Sequence, residues 1–187
     1  MVMAPPAPAQ ARLESQSAEL QQACKAVSTS IGALTAANAR ALLDLRDCDE
    51  SSGAVLARLW SVPRNDAAVL QMLVVASANV RDGRIADAAL DVVKDTSRSP
   101  VDRSAALTVL GNYLNPERIG HVSFEQGTIH VQLAMRSHVP THHQGSHAFD
   151  DSHRTAIITL ADQLVKERVS DPLGALARLM VRMPKRR

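Results

Sequence analysis

The stretch Ser99–Pro116, SPVDRSAALTVLGNYLNP, reads as one helix with both of its ends marked. Ser99 can cap the first turn, Pro100 suits the first helical position, and Asp102 stands where a capping carboxylate reaches back. Ala106, Val109, Leu110 and Tyr113 recur at helical spacing and form one apolar face. Asn115-Pro116 ends the helix, because the residue before a proline is pushed out of the helical region. Such a helix cannot bury its face alone, so it predicts neighbours.

The residues upstream supply them. A first helix is expected over Gln10–Ser28, with Leu13, Leu20, Cys24 and Val27 on one stripe. A second runs from Thr35 to Arg46, carrying Leu42 and Leu45. A third, short one spans Ser52–Ser61, with Val55, Leu56, Leu59 and Trp60 on one face. A fourth, Asn65–Arg81, is apolar nearly all round, which predicts burial on most sides. Asp82-Gly83 breaks it, and a fifth runs from Arg84 to Asp95 with Ile85, Ala88, Ala89, Val92 and Val93 inward.

Composition agrees with helix-on-helix packing. Of 187 residues, 45% are hydrophobic but only 2% are aromatic, so the core is built from Leu, Val, Ile and Ala. Small faces let helices approach closely. The net charge of +2 gives no electrostatic steer, and no basic stripe marks a nucleic-acid partner. No apolar run is long enough to span a membrane.

After Pro116 the period changes from 3.6 to 2. His121–Phe124 and Thr128–Leu133 alternate, and Gln126-Gly127 between them suits a turn. This predicts a β-hairpin near residues 121–134 whose Val122, Phe124, Ile129, Val131 and Leu133 face the helices. Ser137–Asp151, SHVPTHHQGSHAFDD, has no period and reads as a loop. Helices follow over Ser152–Val169 and after Asp171-Pro172, where a cap and a proline stand in the right order.

The starts Asp66-Ala67-Ala68-Val69 and Ser104-Ala105-Ala106-Leu107 lie about 38 residues apart, near the period of two-helix repeats. With Pro100-Val101-Asp102-Arg103, Ala105-Ala106-Leu107 and Leu110-Gly111, the region Thr35–Pro116 resembles the HEAT and armadillo-like helical-repeat family. The resemblance implies a mainly α fold of stacked antiparallel helix pairs, an α-α superhelix, with one inserted β-hairpin. The expected organisation is a disordered Pro/Ala-rich tail over 1–11 and a helical-repeat domain over 12–116. The hairpin and His-rich loop follow over 117–150, then a C-terminal helix pair of the same domain over 151–187.

All seven histidines fall between His121 and His153. His142, His143, His147 and His153 are the candidate metal ligands, since imidazole suits zinc, copper or nickel. Their spacing matches no His-Glu-x-x-His or paired Cys-x-x-Cys pattern, and a polar surface loop with solvated histidines is the simpler reading. Hydrolase and phosphate-loop signatures are absent, and Asp44, Asp47, Asp49 and Glu50 lack the order of a calcium loop.

Cys24 and Cys48 would pair in an exported chain and stay reduced in a cytosolic one. The helical offset between them opposes pairing and the loop at Asp47-Cys48-Asp49 can relieve it, so both readings stand. Ala-Pro-Ala-Gln-Ala near the start resembles the end of a secretory signal, which tips the expectation toward export to a periplasmic compartment.

The expected function is a non-enzymatic protein–protein interaction or scaffold module, a subunit of a larger assembly among its forms. The hairpin and His-rich loop are its interaction elements, because they interrupt a regular stack. Phe124, Ile129, Val131 and Trp60 are the candidate partner-binding residues, and no cofactor is implied. The alternative is a transition-metal-binding protein or metal-dependent enzyme using the His-rich loop.

Overall fold

The computed structural model describes Gln22, Lys25, Ala26, Leu34, Thr35 and residues 39–47, 51–115, 118–125, 128–135, 141–142 and 147–182. The fold is mainly helical. A 3-10 helix, Ala39–Asp47, precedes α1 (Ser51–Ser61), α2 (Ala67–Asn79), β1 (Val80–Arg81), α3 (Gly83–Lys94) and α4 (Pro100–Leu114). Then come β2 (Arg118–Glu125), β3 (Thr128–Met135), β4 (Thr141–His142), α5 (Asp151–Lys166) and α6 (Leu173–Arg182). The Pro/Ala-rich tail, most of the first expected helix, and both cysteines lie outside the described residues.

Local chemistry sets most helix ends. Asp66 caps α2 by accepting from the Ala68 and Val69 N–H groups at 2.9 and 3.2 Å. Ser99 caps α4 through the Asp102 N–H at 3.1 Å, a contact that contributes about 1 kcal/mol. Helix α5 ends in a left-handed residue, Arg168 at φ 52°. Around it the Arg168 N–H reaches the Val165 carbonyl and the Val169 N–H reaches the Leu164 carbonyl, the hydrogen-bond pair of a Schellman ending. That is why α5 stops at Lys166 instead of running to Val169.

Helix α4 sits at the centre. The sequence pattern predicts a single apolar face, but the structure buries Asp102, Ser104, Ala105, Leu107, Thr108 and Asn112 as well as that face. The reason is the number of neighbours: α2, α3, α5, α6 and β2 all pack against it. Its polar residues are accommodated locally. Thr108 donates to the Ser104 carbonyl at 2.8 Å, and the Asp102 carboxylate receives Arg98 at 2.9 Å.

Helix α2 is the other interior element, contacting the 3-10 helix, α1, α4, β1 and β2. Leu70, Leu73 and Val74 are fully buried there. Each such side chain contributes roughly 1.5–3 kcal/mol on burial. A single cluster of buried side chains runs from Leu42 and Leu45 of the 3-10 helix to Leu176, Ala177 and Met180 of α6.

Two sequence expectations change in detail. The helix expected through Arg81 ends at Asn79, and Val80–Arg81 becomes a strand. The segment expected to be an aperiodic loop supplies its partner: Val80 pairs with Thr141 and Arg81 with His142, in parallel. Strands β2 and β3 pair antiparallel from Arg118↔Met135 to Glu125↔Thr128.

Candidate interaction surface and the histidine segment

One end of the molecule is organised around Asp82. It is buried, it caps α3 through the Arg84 N–H at 2.9 Å, and both of its oxygens receive the Arg84 guanidinium, Oδ1 at 3.0 Å and Oδ2 at 2.7 Å. Gly53 in the first turn of α1 lies against this carboxyl, and a Cβ there would overlap it. The carboxylate therefore stands beside the N-terminal turns of two helices, where the helix dipole favours negative charge.

Tyr113, near the end of α4, closes the other side. Its hydroxyl donates to the Val80 carbonyl at 2.7 Å and receives the Asp82 N–H at 3.3 Å. Arg81 answers by donating to the Tyr113 carbonyl at 2.7 Å. The Arg81 guanidinium also lies 4.8 Å over the Phe149 ring, and Phe149 meets Tyr113 edge-on with centroids 5.1 Å apart. Cation–π and edge-to-face contacts of this kind each add about 0.5–1 kcal/mol or more.

The histidine segment is fastened to this cluster. The Gly83 N–H donates to the His147 carbonyl at 2.7 Å, and Asp82 bridges to Ala148. Asp150 caps α5 by accepting from the Ser152 and His153 N–H groups, and His153 Nδ1 lies 2.6 Å from Asp150 Oδ1. The Asp150 N–H also reaches Nδ1, at 3.2 Å, so Nδ1 donates to the carboxylate or accepts from the backbone according to its tautomer. Hydrogen bonds from Ser152 and then His153 hold the Asp150 carboxyl well below the usual carboxylate range. His153 Nε2 faces Asp87 at 3.7 Å, and its ring packs over Gly83, where a Cβ would stand 2.7 Å from Nε2.

The candidate metal ligands have separate fates. His142 lies in β4 opposite Arg81, His147 is exposed and uses its carbonyl, and His153 is the partner of Asp150. His143 lies outside the described residues. Among the described residues, no three His, Cys, Asp or Glu side chains are grouped so as to hold a metal ion.

Of the candidate partner-binding residues, Trp60 is 1% exposed and donates through its indole N–H to Ser77 Oγ at 2.9 Å. It belongs to the core. Phe124 and Ile129 are register partners across β2 and β3, and Val131 pairs with Val122. Their side chains lie outside the described part of the structure.

The β2–β3 pair presents a second surface. Strand β2 is set against α2 and α4. Among the described residues the sheet has two strands, and no described strand lies on the outer edge of β3. Strand β3, TIHVQLAM, has no Asp, Glu, Lys, Arg or Pro over eight residues. Natural sheet edges are ordinarily protected by Lys, Pro, bulges or short length. This lack of protection was readable in the sequence, but only topology identifies the strand as an edge.

Arg81, Asp82, Tyr113 and Phe149 were missed as a group, because they come from three separate stretches of chain. No helix among the described residues is long and apolar enough to cross a membrane. Comparison with protein families, with curated proteins and with solved structures finds no match to this chain.

Proposed function

We propose that this chain is a non-enzymatic protein–protein interaction module in which a body of HEAT-like stacked helix pairs carries a strand edge for a partner. The observation that carries the reading is β3, an eight-residue edge strand without a charge or a proline, held by a neighbour strand seated on α2 and α4. Such an edge recognises an extended segment by main-chain hydrogen bonds, the mode of β-strand addition.

The register says which backbone groups do this. Glu125 and Thr128 close a two-residue connection, and a pair in that position exchanges hydrogen bonds within the pair of strands. Alternation then directs the N–H and C=O groups of Ile129, Val131 and Leu133 to the outer edge. Val131→Pro removes one outward donor and is compatible with an edge strand, whereas Val131→Thr keeps it. Selection from a displayed random-peptide library should enrich extended, alternating peptides on the wild type and on Val131→Thr, and none on Val131→Pro. Equal selection by all three proteins, with unchanged helical circular dichroism, would overturn the reading, as would no selection by the wild type at concentrations where it is monomeric.

A second reading is transition-metal binding through His142, His143, His147 and His153. His142 pairs with Arg81, the His147 carbonyl meets Gly83 and the His153 ring covers Gly83, so the segment gathers at the start of α3, although no three ligand side chains are grouped among the described residues. Metal analysis of protein purified without a histidine tag decides it. Stoichiometric zinc, copper or nickel that disappears in the His142/His143/His147 triple alanine variant supports this reading, and its absence removes it.

A further inference from the structure

Strand β3 also carries an argument about what occupies its edge. We infer that the occupant is β3 of a second copy of this chain, paired antiparallel across a two-fold axis to make a four-stranded sheet. The inference rests on the strand-edge reading above and names its partner.

Three observations carry it. First, self-pairing places identical strands side by side, and a like charge opposite itself is destabilising. Strand β3 has no Asp, Glu, Lys or Arg, so a self-pairing centred on Gln132, which sets His130 opposite Ala134, brings no like charges together, whereas β2 bears Arg118 and Glu125. Second, the register of β2 on β3 leaves outward-facing backbone groups at alternate positions. An antiparallel pairing centred on Gln132 puts Val131 opposite Leu133 and Ile129 opposite Met135, so outward groups meet outward groups along the strand. Such an interface is self-complementary, as a two-fold requires. Third, a two-stranded antiparallel pair is marginal in water, and β2 meets the helical body through α2 and α4. Two copies joined at β3 give four strands supported by a helical body at each end.

Gln132 then faces its own copy across the axis in a closely spaced, non-hydrogen-bonded pair, the geometry in which cross-strand side chains stand nearest. In a Cys24→Ser/Cys48→Ser background, Gln132→Cys should oxidise to a disulfide-linked dimer. Sedimentation velocity across a concentration series should show a dimer for the wild type and Val131→Thr, and half that mass for Val131→Pro. A synthetic Thr128–Met135 peptide should dissociate the wild-type dimer. A wild type that stays monomeric throughout the series overturns the inference, and so does a dimer that survives Val131→Pro. If the wild type is monomeric but still selects peptides in a Val131-dependent way, the strand-edge function stands and only the second copy is refuted. If both measurements fail, both readings fall.

Discussion

Gly53 and Asp82 stand so close that a Cβ on the first would overlap the carboxyl of the second. The carboxyl cannot retreat, because both of its oxygens are held by Arg84. Alanine is worth about 1 kcal/mol more than glycine inside a helix, so α1 on its own would gain from Gly53→Ala. The overlap should reverse that sign. Overpacking of this kind costs roughly 1–3 kcal/mol, and urea denaturation should show Gly53→Ala to be less stable than the wild type. A more stable Gly53→Ala protein would mean that Asp82 is not held as described.

Tyr113 ties the end of α4 to β1 through its hydroxyl. Tyr113→Phe keeps the ring and its edge-on contact with Phe149 but removes the donor to Val80 and the acceptor for the Asp82 N–H. Removing one partner from buried polar groups costs about 1–3 kcal/mol. The expected result is a lower urea midpoint with an unchanged slope.

Arg98 and Asp102 form a pair beside the start of α4, with side chains 10% and 2% exposed. Arg98 also donates to the Ser61 carbonyl at 2.7 Å, so it joins α1 to α4. Burial raises the Asp102 carboxyl above its usual range, and the hydrogen bond and charge of Arg98 oppose the shift. Arg98→Ala removes that opposition and leaves a buried charge, a loss of roughly 3 kcal/mol or more near neutral pH. The sign with pH follows. A carboxyl raised in the folded state binds its proton more tightly there, so its cost is absent below the ordinary Asp value and complete above the folded value. Unfolding free energies measured from about pH 4 to pH 7 should therefore fall more steeply for Arg98→Ala than for the wild type. Asp102→Asn added to Arg98→Ala should flatten the slope again.

Asp150 behaves oppositely. Its carboxyl is held below the usual range by Ser152 and His153, so its contribution to α5 is complete above the ordinary Asp value and is lost as pH falls through the lower folded value. Asp150→Asn should be less stable than the wild type near neutrality. The gap between them should close as pH drops below about 4, read by thermal melts across that range.

Much of the helical layout was legible because its signals are local. Ser99, Pro100 and Asn115 bracket α4, and Asp66 caps α2, each through groups within four residues along the chain. The all-round apolar character of Ala67–Asn79 announced a buried helix, and the structure surrounds it. The polar residues of α4 gave no such notice. Thr108 and Asn112 lie off the apolar stripe of Ala106, Val109, Leu110 and Tyr113, and only the packing of neighbouring elements turns them inward.

The histidine segment divides the two kinds of information most sharply. Its Asp150 start signal for α5 is a short-range hydrogen-bond pattern and belongs to the chain alone. The pairing of Val80 with Thr141, about 60 positions apart, leaves no mark in either stretch, because two-residue strands are too short to show a period. The same holds for Asp82, which reads as a turn residue but in the fold caps α3, binds Arg84, crowds Gly53 and shares Tyr113 with Val80. Caps and periodicity depend on neighbours in sequence, so the chain could specify them by itself. The cluster at Asp82 and the pairing of β1 with β4 depend on which distant surfaces bury each other, and tertiary packing decided them.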